Sequence, residues 1–407
     1  MFDFSMISVW GELIIRWLHV VAGIAWIGSS FYFIALDLGL KRHRNLPADA
    51  FGDAWQVHGG GFYHLVKYMV SPTNLPEELT WFKWEAYTTW ISGFILFVLV
   101  YYLGADFYLI DHSVASMTHA EAISVSLIGI VISWLVYNFL CGLNTRDNSY
   151  YLLVIGLILL VGLSFAFANT LSARGAFMQM GVIMGSLMVG NVLLVIIPNQ
   201  KKVVRALKLG EKPNPIFGVI GKQRSTHNNY LTLPVVYVMI GSHYPMAYAT
   251  DYAWVMLGLV IVAGALIRHF FNQKHMGNKP PIWAICVATA TMVTVISLSI
   301  VGSYRYPQLS VAEEKRVVEK VGAALVDTSH SIILTRCSLC HARDPLWPDL
   351  TSPPKGVVLE TKSDLFIHHR AVYWHAVRSK SMPPANLTGL TSQEREVLAV
   401  FNYEMSK

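Results

Sequence analysis

Phe177-Met178-Gln179-Met180-Gly181-Val182-Ile183-Met184-Gly185-Ser186-Leu187-Met188-Val189-Gly190-Asn191-Val192-Leu193-Leu194-Val195-Ile196-Ile197 runs for twenty-one residues without a charged side chain. As an α-helix such a run is about 32 Å long, which matches the roughly 30 Å hydrocarbon core of a bilayer. Seven more stretches of this kind lie near 11–38, 88–110, 120–143, 149–169, 230–249, 252–271 and 281–303. The expected membrane part is therefore an all-α bundle of eight spans. Beyond Tyr304 the texture changes: Glu313, Glu314, Lys315, Arg316, Glu319 and Lys320 belong on a water-exposed helix. The chain thus reads as a membrane domain over residues 1–304 and a soluble domain over 310–407.

The loop charges set the orientation. Sixteen Lys and Arg residues fall in the first, third, fifth and seventh loops, with Arg174 alone in the other three. Positive charge stays on the cytoplasmic side, so both termini face outward. The net charge of +6 is explained by this asymmetry, and nucleic acid is not an expected partner. Hydrophobic residues make up 54% of the chain and charged ones 14%, against roughly 25% in soluble domains, which excludes a disordered chain and a disulfide-stapled module. The first apolar stretch is long and lacks a preceding basic region, so it reads as a retained anchor.

Two of the four cysteines, Cys141 and Cys286, sit singly in apolar spans. The others form Cys337-Ser338-Leu339-Cys340-His341, the spacing of c-type haem attachment: two thiols for the porphyrin vinyl groups and an adjacent imidazole for the iron. A redox dithiol would want a βαβ context, and a zinc site needs a second ligand pair; neither is visible. Downstream, Lys380-Ser381-Met382-Pro383-Pro384 precedes a closing helix, an arrangement similar to the distal half of class I cytochromes c. Met382 is then the expected second axial ligand, with His368, His369 and His375 as rivals on a helical surface. Haem c is the expected cofactor. Bacterial haems of this type are attached outside the cytoplasmic membrane, where the charge rule already places the tail.

One helix would suffice to anchor a cytochrome, so the bundle has work of its own. His19 and His243 fall at similar depth near the outer ends of their spans, where two neutral imidazoles could ligate a haem b; hydrogen bonds to backbone or water are the plainer reading. The inner face carries Trp55-Gln56-Val57-His58-Gly59-Gly60-Gly61-Phe62-Tyr63-His64-Leu65-Val66-Lys67-Tyr68, then Trp81-Phe82-Lys83-Trp84-Glu85-Ala86-Tyr87, and Thr226-His227-Asn228-Asn229-Tyr230. If residues 61–70 are helical, His64, Lys67 and Tyr68 share one face. Lys67, Glu85, His227, His64 and His58 are the candidate catalytic residues: Lys67 to neutralise an anionic heterocycle, His or Glu to take a ring proton. Trp, Tyr and Lys also collect at membrane interfaces without any catalytic duty.

The stretches around His58-Gly59-Gly60-Gly61-Phe62-Tyr63, Trp81-Phe82-Lys83-Trp84-Glu85-Ala86-Tyr87 and Leu231-Thr232-Leu233-Pro234-Val235, with the haem signature behind them, resemble the bacterial membrane-bound urate oxidases that carry a C-terminal cytochrome c. The resemblance implies oxidation of urate to 5-hydroxyisourate in purine degradation. It also implies electrons passed to haem c and on to a downstream cytochrome c or terminal oxidase, in the inner membrane with the haem domain periplasmic. It supplies no residue set for the membrane domain. The alternative is a membrane-anchored cytochrome that serves a partner dehydrogenase; a transporter with a redox sensor is a further rival. The richest polar loops face inward while the haem faces out, so the urate reading requires a relay or a deeper substrate.

Overall fold

The computed structural model describes residues 4–47, 50–68, 75–111, 114–143, 150–301, 309–348, 350, 353–378, 380 and 382–407. The chain is mostly helical, and six helices among the described residues are long and apolar enough to cross a membrane, as in a multi-pass membrane protein. They lie in α1 (Phe4–Gly39), α2 (Trp84–Phe97, prolonged by a π-helical turn Val98–Tyr102), α4 (His119–Leu143), α6 (Ala173–Gly190, continuing through a π-helical turn into α7, Ile197–Lys208), α9 (Ala253–His275) and α10 (Ile282–Val301). Of the other two expected spans, α5 (Tyr150–Ala168) is apolar over 152–168, and α8 (Ile216–Gly241) has a polar first half.

Helix α6 is the hub, packing against α2, α4, α5, α8 and α9, and its inward face is buried from Gly175 to Gly190. Glycine permits the close approaches. A Cβ on Gly181 would come within 2.7 Å of the Val238 side chain on α8, and one on Gly190 within 2.6 Å of the Trp134 ring on α4. Buried polar groups are mostly paired, as a hydrocarbon surround demands. Gln179 accepts from Ser126 Oγ at 2.7 Å and donates back to the Ser126 carbonyl at 2.9 Å, and the Tyr102 hydroxyl donates to Ser126 at 2.8 Å.

The all-α expectation needs one correction. Residues 61–68 are not helical: β1 (Ala50–His58) and β2 (Gly61–Tyr68) form an antiparallel hairpin between α1 and α2. Gly59 and Gly60 both have positive φ, 60° and 82°, the conformation a tight two-residue hairpin turn requires. In a strand the face repeats every second residue, so His64 and Lys67 point to opposite faces.

The boundary expected near residue 304 lies outside the described residues. From Leu309 onward, α11 (Val311–Val321), α12 (Ala323–Arg336), α14 (Lys362–Val372) and α15 (Ser392–Ser406) enclose a separate apolar core of Val326, Ile333, Leu365, Leu398 and Phe401. Capping boxes start α11, α14 and α15, at Ser310/Glu313, Thr361/Asp364 and Thr391/Glu394. The short helix α13 (Ser338–His341) follows α12 directly, and an Arg336–Glu394 ion pair at 3.0 Å ties that junction to the start of α15. Helix α14 packs on α3 (Ala105–Tyr108), which follows α2.

Candidate functional site

The hairpin holds a charged cluster. Asp53 is 3% exposed and its carboxylate accepts from His64 Nε2 at 2.7 Å and His43 Nε2 at 3.1 Å. Trp55, the register partner of His64, stacks on its ring with centroids 4.3 Å apart. Lys67 pairs with Asp37 of α1, and Gln56 accepts from the Tyr32 hydroxyl at 2.7 Å. These bonds pin the hairpin onto α1. The hydrogen bond from His64 holds the Asp53 carboxyl below the ordinary carboxylate range. A depressed acid contributes stability above its unfolded pKa and loses it as pH falls through the folded value. We expect the protection factors of amides 50–68, taken against intrinsic exchange at the same pH, to fall below about pH 4 in wild type; in Asp53→Asn they should already be low at pH 7. Equal protection of the variant at pH 7 would contradict the clamp.

A second polar layer lies inside the bundle. Gly39 ends α1 beside His275, which ends α9, so these termini mark one end of the bundle. About two turns in from the start of α8 and from the end of α9 sit Arg224 and Arg268. Both are buried, at 4% and 5% exposure. Arg224 donates to Asn191 Oδ1 at 3.3 Å, Asn138 Oδ1 at 2.8 Å and the Asn138 carbonyl at 3.4 Å; its Nε is buried without a partner. Asn191 in turn donates to the Tyr137 hydroxyl at 2.9 Å and Asn228 Oδ1 at 2.8 Å, and Asn228 donates to the Met188 carbonyl. His227 Nδ1 is 2.8 Å from the Tyr137 hydroxyl and 3.7 Å from Cys141 Sγ.

On the neighbouring face of α8, Arg268 donates to Asn229 and Asn272, both at 3.3 Å, with its guanidinium 3.9 Å above the Phe31 ring. Asn229 Nδ2 is buried and unpartnered. Among the described residues, every hydrogen-bond acceptor of the two guanidiniums is a neutral amide. A buried cation without a counter-charge is costly and marks a place where an anion is welcome.

The layer unites residues that sequence reading kept apart and omits others. His227 belongs to it. His64 and Lys67 sit in the hairpin with carboxylates of their own; His58 is exposed at the hairpin tip, and Glu85 lies in the first turn of α2. Arg224 and Arg268, counted above among the loop charges, are helical and buried, which corrects that count. The signal was available: Arg224, His227 and Asn228 at helical spacing, and Arg268 four residues before Asn272, would each place polar groups on one helix face.

Near the middle of α1, His19 donates Nδ1–H to the Thr89 carbonyl at 2.9 Å, and its ring lies where a Cβ on Gly93 would be. His243 occupies the turn after α8, its backbone bonded to Ile240. No group of three or more His, Cys, Asp or Glu residues suited to a metal occurs among the described residues.

In the tail, burial pushes the Cys337 thiol up to about 12 and also raises that of Cys340. Burial lowers the pKa of His341, and its Nδ1–H donates to the Val357 carbonyl at 2.8 Å, so Nε2 carries the lone pair. His369 bonds Asn402 on α15 at 2.9 Å, burial lowers His368 to about 4, and the Met382 amide donates to the His375 carbonyl at 2.9 Å.

Residues 5–299, most of the chain, match the family described as urate oxidase N-terminal. No curated protein and no solved structure matches. With its membrane-crossing helices and the family match extending over nearly all of them, the chain belongs to the urate oxidase N-terminal family.

Proposed function

We propose that the membrane domain oxidises urate to 5-hydroxyisourate and that the electrons leave through a haem c held by the tail. The observation that carries this reading is the layer of buried guanidiniums whose hydrogen-bond acceptors among the described residues are all neutral amides, in a chain of this family. Urate is a planar anion edged with alternating donors and acceptors, and asparagines present the complementary groups. Lys67 was the expected neutralising residue, but it already has Asp37; the two arginines have no carboxylate partner among the described residues. The reaction removes two electrons and two protons from urate plus water, and the water oxygen ends on C5. The chain's part is to hold the ring, exclude bulk water and accept protons.

The tail's donor set suits a covalent haem. Cys337 and Cys340 lie three residues apart beside His341, whose hydrogen bond to Val357 fixes the tautomer that leaves Nε2 for a metal. Met382 is the proposed distal ligand. A thiol as high as Cys337 is a poor thiolate nucleophile, which disfavours a dithiol exchanger. When bound, the haem supplies a one-electron acceptor, so each urate reduces two chains. The orientation proposed from the loop charges puts the guanidinium layer toward the cytoplasm and the tail in the periplasm.

Anaerobic titration of the purified full chain with urate tests the reading. We expect the ferrous absorption band to develop fully at about half an equivalent of urate, and product formed in ¹⁸O-water to carry the label at C5. A haem that stays ferric, or reduces only when another subunit is added, would replace the oxidase by an electron carrier.

A further inference from the structure

We propose that Arg224 is the seat of the purine anion and that Tyr137 fixes the form in which His227 meets it. The inference rests on the urate oxidase reading and assigns it a place. Arg224 joins three helices: it stands on α8, bonds Asn138 of α4 and Asn191 of α6, and lies 5.0 Å from the centre of the Tyr137 ring. Its Nε–H is buried and has no acceptor among the described residues. A guanidinium offers five donors, of which the three bonds above use three; an anionic ring oxygen would satisfy the buried Nε–H. Arg268 is the weaker candidate because the Phe31 ring caps it.

The partners of Tyr137 bear on the proton of His227. Asn191 Nδ2 can only donate, so the Tyr137 oxygen accepts from it at 2.9 Å. Cys141 is the other hydrogen-bond partner of this hydroxyl, and an imidazole nitrogen is a stronger acceptor than sulfur, so we assign the Tyr137 hydrogen to His227 Nδ1 at 2.8 Å. A neutral imidazole with Nδ1 accepting carries its proton on Nε2. His227 is thus set as a hydrogen-bond donor, whereas sequence reasoning cast it among the proton acceptors. Arg224 and His227 both offer N–H groups, so the ligand class is a planar anion rich in carbonyl oxygens. Purines lacking those oxygens leave the donors unpaired. Tyr137 is a positioning residue.

Gly221 lies three residues before Arg224 on the same face of α8, and a Cβ there meets nothing within 4 Å.

The experiment is equilibrium dialysis of radiolabelled urate against the full, haem-complete chain in detergent, kept reduced with dithionite so that bound urate is not consumed. Arg224→Gln should weaken binding at least about thirtyfold, Arg224→Lys less. Gly221→Phe, which touches none of the hydrogen bonds, should weaken it about tenfold by filling the approach. Tyr137→Phe should weaken binding and also shift its pH dependence, because His227 is no longer held in one tautomer. If wild type binds urate and both Arg224→Gln and Gly221→Phe bind within about threefold of it, the seat lies elsewhere and the oxidase reading stands. If Arg224→Gln does not fold, Gly221→Phe alone decides. Wild type that binds no urate overturns both.

Discussion

Cys337→Ser is expected to abolish covalent haem attachment and, with it, all urate-dependent electron release. Both thiols of the Cys337–Cys340 pair stand at the end of α12, where the chain turns through α13, and the His341 carbonyl accepts from the Leu359 amide at 2.6 Å. That backbone bond and the one from His341 Nδ1 to Val357 hold the imidazole in place before any metal arrives. The turn is framed by contacts that do not involve the cysteines: Arg336 bonds Glu394 and the Thr388 carbonyl, and the Phe366 and Phe401 rings stack in the core behind it. The variant should therefore keep its helical content and its place in the membrane. Denaturing gels stained for haem give the readout, with Cys286→Ser as control, since Cys286 is exposed on α10 and far in sequence from the motif. Haem retained through denaturation by Cys337→Ser, or lost by Cys286→Ser, would contradict the assignment of the pair.

The second large effect is expected at Gly264. A Cβ there would come within 2.8 Å of Cδ and 3.1 Å of Cγ of Pro234. A proline ring is joined to its own backbone at both ends and cannot swing aside, so a larger residue must separate α8 from α9. Those two helices carry Arg224, Asn228 and Asn229 on one side and Arg268 and Asn272 on the other. Separation would break the 3.0 Å bond between Asn272 and Asn229 and leave polar groups unpaired in an apolar surround. Overpacking costs about 1–3 kcal/mol and each unsatisfied buried group about as much again, so Gly264→Leu should lose about 3–5 kcal/mol. Thermal unfolding in detergent measures it, with Gly185→Ala as the neutral comparison, because a Cβ at Gly185 meets nothing within 4 Å. An unchanged Tm for Gly264→Leu would mean that the helices are not in this contact.

What could be read from residues alone follows from how each signal is carried. Apolar length is additive along the chain, so the spans α1, α4, α6, α9 and α10 are visible in any window. Helix α8 is harder, because its first half trades apolar residues for the polar layer. That same trade is the functional signal, and a rule that assigns arginines to loops hides it. The hairpin was missed because its stability depends on pairing with Ala50–His58 and on two left-handed glycines, neither of which an i, i+3, i+4 search along residues 61–70 would register. The haem signature is local and chemically constrained, so five consecutive residues suffice to raise it.

Asn191, which links Arg224, Tyr137 and Asn228, opens the π-helical turn of α6. Such a turn holds one residue more than the α-helix would, so its upstream and downstream halves are out of phase by about 100°. Loss of a single residue there would leave a regular helix of nearly the same length and an unbroken apolar run. It would nevertheless swing the basic residues of α7 a quarter-turn around the axis relative to the amides they follow. Helix α6 can therefore drift widely in composition across relatives, but its residue count between Gly175 and Lys208 should be fixed.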